Sequence, residues 1–233
     1  ADDANIYVRS PRAGEPARAR CGRFLKPRLK PTLDREKSPG ARAAGSAQPV
    51  FDPQLGLGLV FNGAIFNHPQ LRRELEAKGY QFYSHGDTEG LLKAYHAWGE
   101  DFVQRLNGMF AFAIWEQASG QVLLGRDRLG IKPLYVAEVR GGLRFASTLP
   151  ALLAGGGIDT AIDPVGLNHY LSFHAVVPPP HTILAGVRKL APGTLMRVQP
   201  DGQRNEKTWW SLDYARSQAD ESRSVDDWRD MLL

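Results

Sequence analysis

The chain has 233 residues, of which 42% are hydrophobic, and this is enough for one substantial core. Its single cysteine excludes a disulfide framework, and no apolar run in the sequence is long enough to cross a membrane, so we expect a soluble cytoplasmic protein with no membrane partner. The formal net charge of +4 comes from the first part of the chain, because residues 1–48 hold 11 of the 29 Lys and Arg but only 5 of the 25 Asp and Glu.

Residues 9–47 form a basic segment that is rich in Arg, Pro, Ala and Gly and has few regularly spaced apolar positions. This composition is typical of loops or disorder. No aromatic residue lies among the basic residues between positions 26 and 47, so the stacking contacts of a single-stranded nucleic-acid site are missing there. We therefore expect residues 1–47 to be irregular, and we expect no nucleic-acid partner.

Regular elements are predicted from residue 57 onward. Residues 57–66 are apolar, as in a strand, and residues 70–78 have apolar and charged side chains at helical spacing. Residues 88–98 predict a second helix, with Asp87 as its N-cap. The sequence thus begins its folded part with a strand followed by two helices.

The next part of the chain predicts β-structure. Residues 109–115 and 121–126 form a predicted hairpin around residues 118–120, and the apolar run at 110–115 lacks clean alternation, as in a strand that is covered on both faces. The later predicted elements are strands at 133–139, 143–147 and Thr194–Val198, and helices at Leu149–Leu153 and from the cap Asp163 to Phe173.

Two further groups of residues have structural interpretations. His169 and His174 are five positions apart, which splays them across a helix, and no acidic residue lies at ligand spacing. We interpret both as packing or surface residues and expect no metal site. Residues 126–133 contain Asp, Gly and Pro, and this composition predicts a turn between two strands.

Asn62 and Gly63 follow the first apolar strand, and Asp87 follows one helix later. Taken alone, the Asn-Gly pair predicts a turn and Asp87 predicts a helix cap. A carboxamide beside a glycine N–H can also supply two fixed donors for a tetrahedral oxyanion, and a carboxylate can bind an ammonium group. The residue types alone leave both interpretations open.

Four blocks in this order resemble the glutaminase domain of the asparagine-synthetase family of class II glutamine amidotransferases. They are residues 61–67 (FNGAIFN), 86–89 (GDTE), 105–115 (RLNGMFAFAIW) and 126–135 (RDRLGIKPLY). The resemblance implies an α+β fold, the four-layer αββα sandwich of N-terminal-nucleophile hydrolases, here incomplete and with a disordered or degraded N-terminal segment.

The resemblance also implies roles for single residues and names glutamine as a partner. Asn62 and Gly63 would form the oxyanion hole, and Asp87 would hold the α-amino group of glutamine. Arg28 lies in a stretch that echoes the family's carboxylate-binding motif only faintly, and it would bind the glutamine carboxylate. Ala64 stands where asparagine synthetases have Glu, so contacts to the ligand are expected to differ there.

The family's nucleophile is an N-terminal cysteine, whose own α-amine serves as the base. Residue one here is Ala1, and the only cysteine, Cys21, is internal and has no free α-amine. We therefore expect a chain that is incomplete at its front and inactive by itself. A reading-frame error or a degraded gene copy would explain residues 9–47, since the resemblance returns abruptly near residue 47.

The resemblance divides the chain into a poorly matching segment (1–47), a glutamine amidotransferase domain (48–210), and a linker with the start of a missing synthetase domain (211–233). The missing domain would use ATP and Mg²⁺ to activate an acceptor carboxylate, either aspartate or an acylated dipeptide, and no cofactor is expected in this part. Residues 143–153 and 170–180 look most like the N-acetylglutaminylglutamine amidotransferase branch. The alternative is a pseudo-glutaminase that binds a ligand or partner without catalysis.

Overall fold

The computed structural model describes residues 6–9, 48–140, 142–213, 227, 229 and 230. The strands are β1 (Ile6–Arg9), β2 (Val50–Asp52), β3 (Leu57–Ile65), β4 (Gly108–Glu116), β5 (Val122–Arg126), β6 (Tyr135–Val139), β7 (Gly142–Ala146), β8 (Arg188–Lys189), β9 (Thr194–Val198) and β10 (Arg204–Thr208). The helices are α1 (His68–Ala77), α2 (Asp87–Trp98), α3 (Phe102–Arg105), α4 (Leu149–Leu153) and α5 (Pro164–Ser172), with a 3₁₀ turn (Gly99–Asp101) before α3. This mixture of sheets and helices confirms the predicted α+β class.

Some expectations concern residues outside the described ranges. Residues 1–5, residues 10–47 with Cys21 and Arg28, and most of 214–233 lie there, so the expectations for them stay predictions. The expectation that residues 1–47 are irregular is wrong at residues 6–9, because this short stretch with Ile, Tyr and Val forms strand β1 and pairs with β7. Within the described part of the chain, no helix has both the length and the apolar character that a bilayer span requires.

The larger sheet has six strands in the order β10-β9-β5-β4-β3-β2, all antiparallel to their neighbours. Its longest pair is β3 and β4, which runs from Leu57 opposite Glu116 to Ile65 opposite Gly108. A tight turn joins β4 to β5, and Gly120 adopts a positive φ of 72° in it, so the predicted hairpin is confirmed. The smaller sheet has the order β1-β7-β6-β8 and is also antiparallel.

Buried side chains form three clusters that follow the layering of these elements. The first cluster lies between the larger sheet and helices α1 to α3 and includes Phe61 and Leu91. The second cluster joins the two sheets, with Leu124 from the larger and Phe145 from the smaller. The third cluster lies on the opposite face of the smaller sheet, where Ala146 packs with residues of α4.

Strand β4 shows why its sequence lacks clean apolar alternation. Phe110, Phe112 and Ile114 belong to the first cluster, whereas Ala111 and Ala113 belong to the second. Both faces are therefore buried, and a strand covered on both sides needs apolar residues at every position. The prediction that this strand is covered on both faces is confirmed.

The structure differs from the sequence prediction mainly at element ends and at sheet edges. Helix α1 begins at His68, two residues earlier than predicted, because Pro69 occupies the first turn, where its missing N–H costs nothing. The strand predicted from residue 133 begins at Tyr135. Strand β10 was not predicted, since its residues are polar and mostly exposed at the edge of the sheet and carry no apolar pattern.

Candidate functional site

Asn62 lies in the second half of strand β3. Side chains alternate along a strand, and Leu59 and Phe61 pack against the helices, so Asn62 turns toward the smaller sheet. It lines a small open cleft between the two sheets. The other side chains that line this cleft include Ala111, Pro133, Leu134, Phe145 and Ser147.

Gly63 is held so close to the neighbouring strand that no side chain fits. Its φ is +154°, and a Cβ atom at this position would lie 2.1 Å from the carbonyl oxygen of Met109 and 2.7 Å from the Cα of Phe110. The Phe110 N–H donates to the Asp127 carboxylate, and the Phe110 C=O accepts the Asp127 N–H. Gly63 and Phe110 therefore form a non-hydrogen-bonded pair, the type in which the two backbones approach most closely. Glycine is therefore required here by the backbone contact as well as by φ.

The strand register directs the Gly63 N–H toward the edge of β3 that faces away from β4. Among the described residues, β2 covers this edge only from Leu57 to Leu59. Beyond it, the Phe61 N–H donates to Gln48 Oε1 (2.7 Å), and the Ile65 N–H donates to Asp87 Oδ2 (3.0 Å). Because alternate N–H groups of a strand point to the same side, the Gly63 N–H lies between these two side chains.

Asp87 lies against the end of the strand that carries Asn62 and Gly63, but it does not cap its helix. Gly86 is the N-cap residue of α2, no side chain caps this end, and Asp87 is the first helical residue. The predicted N-cap role is therefore wrong, because the carboxylate turns toward β3 and accepts the Ile65 N–H instead. Its negative charge still lies in the first turn, where the helix dipole favours it.

Asn67 closes the turn that follows β3. Its side-chain amide donates to the Arg105 carbonyl (2.9 Å), and its Oδ1 accepts the Asn107 N–H (2.9 Å). The neighbouring Phe66 N–H donates to the Asn107 carbonyl (2.7 Å). These bonds fix the chain after β3 to the chain before β4, so the second Asn of the FNGAIFN block has a structural role that the sequence prediction did not assign.

Glu89 organises the loop that leads into Asp87. Its carboxylate accepts the N–H groups of Tyr83 (3.0 Å) and Ser84 (2.8 Å) and the Ser84 hydroxyl (2.7 Å), and it pairs with Lys93 one turn later in α2. Burial by itself would raise the pKa of Glu89, but the hydrogen bonds from Lys93, Ser84 and the loop backbone outweigh it and hold the pKa below its ordinary value. The charged form is therefore the one that the fold stabilises.

We expect Glu89→Gln to lower the free energy of unfolding by about 2 kcal/mol at pH 7, because charge-assisted hydrogen bonds are replaced by neutral ones. A lowered pKa contributes stability above the ordinary value of 4.5 that is lost as the pH falls through the folded value. The difference in the free energy of unfolding between the parent and the variant should therefore disappear at acidic pH. Urea unfolding between pH 3 and pH 7 measures it, with the exposed Asp101→Asn as a control. A gap that is independent of pH would contradict the assignment.

Asp127 is the other carboxylate that fixes backbone near the cleft, and its side chain is buried. Its Oδ1 accepts the N–H groups of Leu129 (3.1 Å) and Ile131 (2.9 Å), and its Oδ2 accepts those of Phe110 (3.1 Å) and Lys132 (3.0 Å). The carboxylate thus shapes the turn from β5 to β6 and ties it to β4. The predicted turn at residues 126–133 is confirmed, although the sequence did not show that one side chain holds it.

The structure brings some of the predicted site residues together and keeps others apart. Asp87 contacts the end of β3, but it lines a depression beside α1 and α2 with Ile65 and Leu71, whereas Asn62 lines the cleft between the sheets. Among the described residues, no group of three His, Cys, Asp or Glu could hold a metal ion. His169 stacks on Phe173, with ring centres 5.5 Å apart, so it is a packing residue.

Most of the chain matches a known protein family. The sequence model of the family described as Glutamine amidotransferase domain matches residues 41–210. The chain belongs to this family. The match covers all four of the sequence blocks, including the strand that carries Asn62 and Gly63 and the start of α2.

Relatives of this glutamine amidotransferase domain are much longer proteins. Asparagine synthetase [glutamine-hydrolyzing] 1 of Bacillus subtilis (strain 168) is 39% identical over 174 residues, which are 75% of this chain and 27% of the relative. A putative asparagine synthetase [glutamine-hydrolyzing] of Mycobacterium bovis is 44% identical over 147 residues, or 61% of this chain and 22% of the relative. The chain thus spans about a quarter of the length of these curated relatives.

Among solved structures, glutamine phosphoribosylpyrophosphate amidotransferase from B. subtilis matches 73% of this chain and 33% of its own. The sequence identity is 20% and the TM-score is 0.49, so this likeness is too distant to support an argument. The resemblance to class II glutamine amidotransferases that the sequence blocks predicted is confirmed by the family match and by the asparagine synthetase relatives.

Proposed function

We propose that this domain is the glutaminase part of an ATP-dependent amidotransferase of the asparagine-synthetase type, in the N-acetylglutaminylglutamine amidotransferase branch. It would release ammonia from the side-chain amide of glutamine for transfer to an activated carboxylate. Family membership and relatives named as glutamine-hydrolysing asparagine synthetases support this proposal. The branch is supported only by the sequence of residues 143–153 and 170–180.

The observation that carries the proposal is the backbone at Gly63. Its N–H is directed to the edge of β3 that faces away from β4, and it follows directly after Asn62 in the strand. When a nucleophile adds to an amide carbonyl, the oxygen becomes an oxyanion, and donors fixed beforehand stabilise it most effectively. We assign these donors to Asn62 Nδ2 and the Gly63 N–H.

We assign recognition of the α-ammonium group of glutamine to Asp87. One oxygen, Oδ2, is bound to the Ile65 N–H, which anchors the carboxylate to the strand of the proposed oxyanion hole. Among the described residues, Oδ1 is approached only by the Thr88 hydroxyl, at 3.4 Å. That oxygen can accept a charge-assisted bond from an ammonium group. The two depressions that Asn62 and Asp87 line would then receive opposite ends of one substrate.

The nucleophile in such a site is the thiolate of an N-terminal cysteine. It attacks the amide carbon, ammonia leaves, and water releases glutamate from the thioester. A polypeptide that begins at Ala1 has no such thiol, so we expect no release of glutamate from glutamine by the 233-residue chain. Turnover above background that disappears in Cys21→Ala would contradict this expectation.

The proposal extends to the fold and to the whole reaction. Three clusters between successive layers support a four-layer αββα sandwich, with α1 to α3 on one side and α4 on the other. In a complete enzyme, ATP and Mg²⁺ would activate aspartate or an acylated dipeptide, and we assign neither of them to this domain. A cytoplasmic location fits this metabolism and the single cysteine.

Glutamine binding tests the proposal directly. Calorimetric titration of the 233-residue chain should show that L-glutamine binds about tenfold more tightly than glutaramate, the same amide without the α-ammonium group, since one charge-assisted bond is lost. Asp87→Asn should remove this preference, and the exposed Asp101→Asn should keep it. Absence of glutamine binding, or a preference that survives in Asp87→Asn, would refute the assignment.

A further inference from the structure

The loop between α1 and α2 ends directly at Asp87, and its conformation decides where that carboxylate lies. Only two hydrogen bonds of the Asp87 side chain itself are found in the described part of the chain, at 3.0 Å from the Ile65 N–H and at 3.4 Å from the Thr88 hydroxyl. The position of Asp87 therefore depends on the loop before it.

Three charged side chains from α1 and α2 contact this loop. They are Arg72, Glu89 and Lys93, and we call them the loop clamp. From α2, Glu89 binds the N–H groups of Tyr83 and Ser84 and the Ser84 hydroxyl. From α1, Arg72 donates to the Ser84 carbonyl at 2.7 Å. Every polar group of Ser84 is thereby bonded to the clamp.

The same loop is held by its aromatic residues. The Lys93 ammonium and the Arg72 guanidinium each lie 4.5 Å from the centre of the Phe82 ring, and Lys93 lies 5.3 Å from the centre of the Tyr83 ring. Such cation–π contacts are strongest where the cation is shielded from water. The Lys93 side chain is only 4% exposed, and that of Glu89 only 13%.

The desolvation cost of a buried ion pair offsets much of the stability that the pair gives to a helix. Removing two charges from water costs several kcal/mol per ion, and well-packed apolar residues of similar volume often serve stability as well or better. Besides its i, i+4 ion pair with Lys93 in α2, the Glu89 carboxylate accepts hydrogen bonds from three groups of the loop. Its placement indicates that it fixes one loop geometry.

We propose that the loop clamp is a positioning device, which presets Gly86 and Asp87 so that the Asp87 carboxylate meets the substrate's ammonium group without rearrangement. This inference rests on the proposed function, because it assigns the clamp to the ammonium subsite of that same site. Glu89 and Lys93 touch no substrate in this arrangement. They act through Asp87, and preorganisation of this kind raises affinity by reducing the ordering that binding would otherwise require.

The test compares two ligands on the 233-residue chain. L-Glutamine carries the α-ammonium group, and glutaramate lacks it. We expect Glu89→Ala to weaken L-glutamine binding about tenfold and to change glutaramate binding less than about twofold, at a temperature where circular dichroism shows both proteins folded. Lys93→Met should act in the same direction. Glu89→Gln, which keeps an acceptor for the Ser84 and Tyr83 N–H groups, should recover part of the loss.

Matched variants separate the possible outcomes. The exposed Arg73→Met, one residue from Arg72, removes a positive charge without touching the loop and should bind both ligands like the parent. If the clamp variants lose stability but keep the glutamine preference, while Asp87→Asn loses it, the clamp is structural only, and this inference is overturned while the proposed function stands. If the parent itself does not prefer glutamine, both are overturned. Should Glu89→Ala fail to fold, Lys93→Met and Glu89→Gln decide the question in the same way.

Discussion

Replacing Asp127 by alanine is expected to lower the free energy of unfolding by about 4 kcal/mol, the largest effect on stability that we predict for a single polar side chain here. The carboxylate is 1% exposed and accepts four backbone N–H groups, from Phe110, Leu129, Ile131 and Lys132. Without it, the buried Phe110 N–H and the three partly buried N–H groups of the turn lose their acceptor, and each donor that stays unpaired carries a desolvation cost.

Urea denaturation followed by circular dichroism measures this change, with the exposed Asp101→Ala as the control for loss of a carboxylate. Asp127→Asn should fall between the parent and Asp127→Ala, since it keeps one acceptor oxygen but turns an amide NH₂ toward other donors. A loss below about 1 kcal/mol in Asp127→Ala would show that water or a shift of the turn replaces the carboxylate.

Asn62→Ala is expected to lower kcat about 10²–10³-fold in a full-length version of the enzyme that carries an N-terminal cysteine, while KM for glutamine changes little. The reason is that the Asn62 carboxamide would bond an oxygen that is fully charged only in the transition state. Asp87→Ala should have the opposite signature. It would remove a contact that is made in the ground state and in the transition state alike, so it should mainly raise KM.

Steady-state glutamate release separates these two signatures, and unfolding measured on the same samples shows whether the variants are folded. Asn205→Ala, on the exposed strand β10, is a matched control for loss of a carboxamide and should leave both constants unchanged. If Asn62→Ala and Asp87→Ala both turn over glutamine like the parent, the pocket assignment is wrong. The Asn-Gly pair would then be an ordinary part of β3.

Local patterns predicted most of the central elements. The bounds of β9 and α4 agree with the sequence prediction at both ends, and Asp163 caps α5 through the Val165 N–H at 3.0 Å, as predicted. These features depend on neighbours within a few positions. Capping and apolar periodicity are properties of such short stretches, so the sequence contains the information that they need.

The missed features depend on residues that are far apart in the chain. The carboxylate of Asp87 was predicted to cap its own helix, but it binds the Ile65 N–H, 22 positions away. Arg197 binds Glu100 across 97 positions. The periodicity of the sequence does not indicate such partners, because the packing of sheets and helices determines them. The sequence therefore predicted which residue types form the site, but it did not predict how these residues are arranged in space.

Among the described residues, strand β2 covers only the first part of the β3 edge, and this affects association between copies of the chain. A strand edge with free amides invites a further strand to pair with it, and proteins protect such edges from intermolecular sheet growth. Here the oxygens of Gln48 and Asp87 occupy the amides of Phe61 and Ile65, on either side of Gly63, which an incoming strand would need. The same side chains that flank the Gly63 N–H also occupy this edge, so a residue assigned to ligand recognition also hinders pairing of a further strand there.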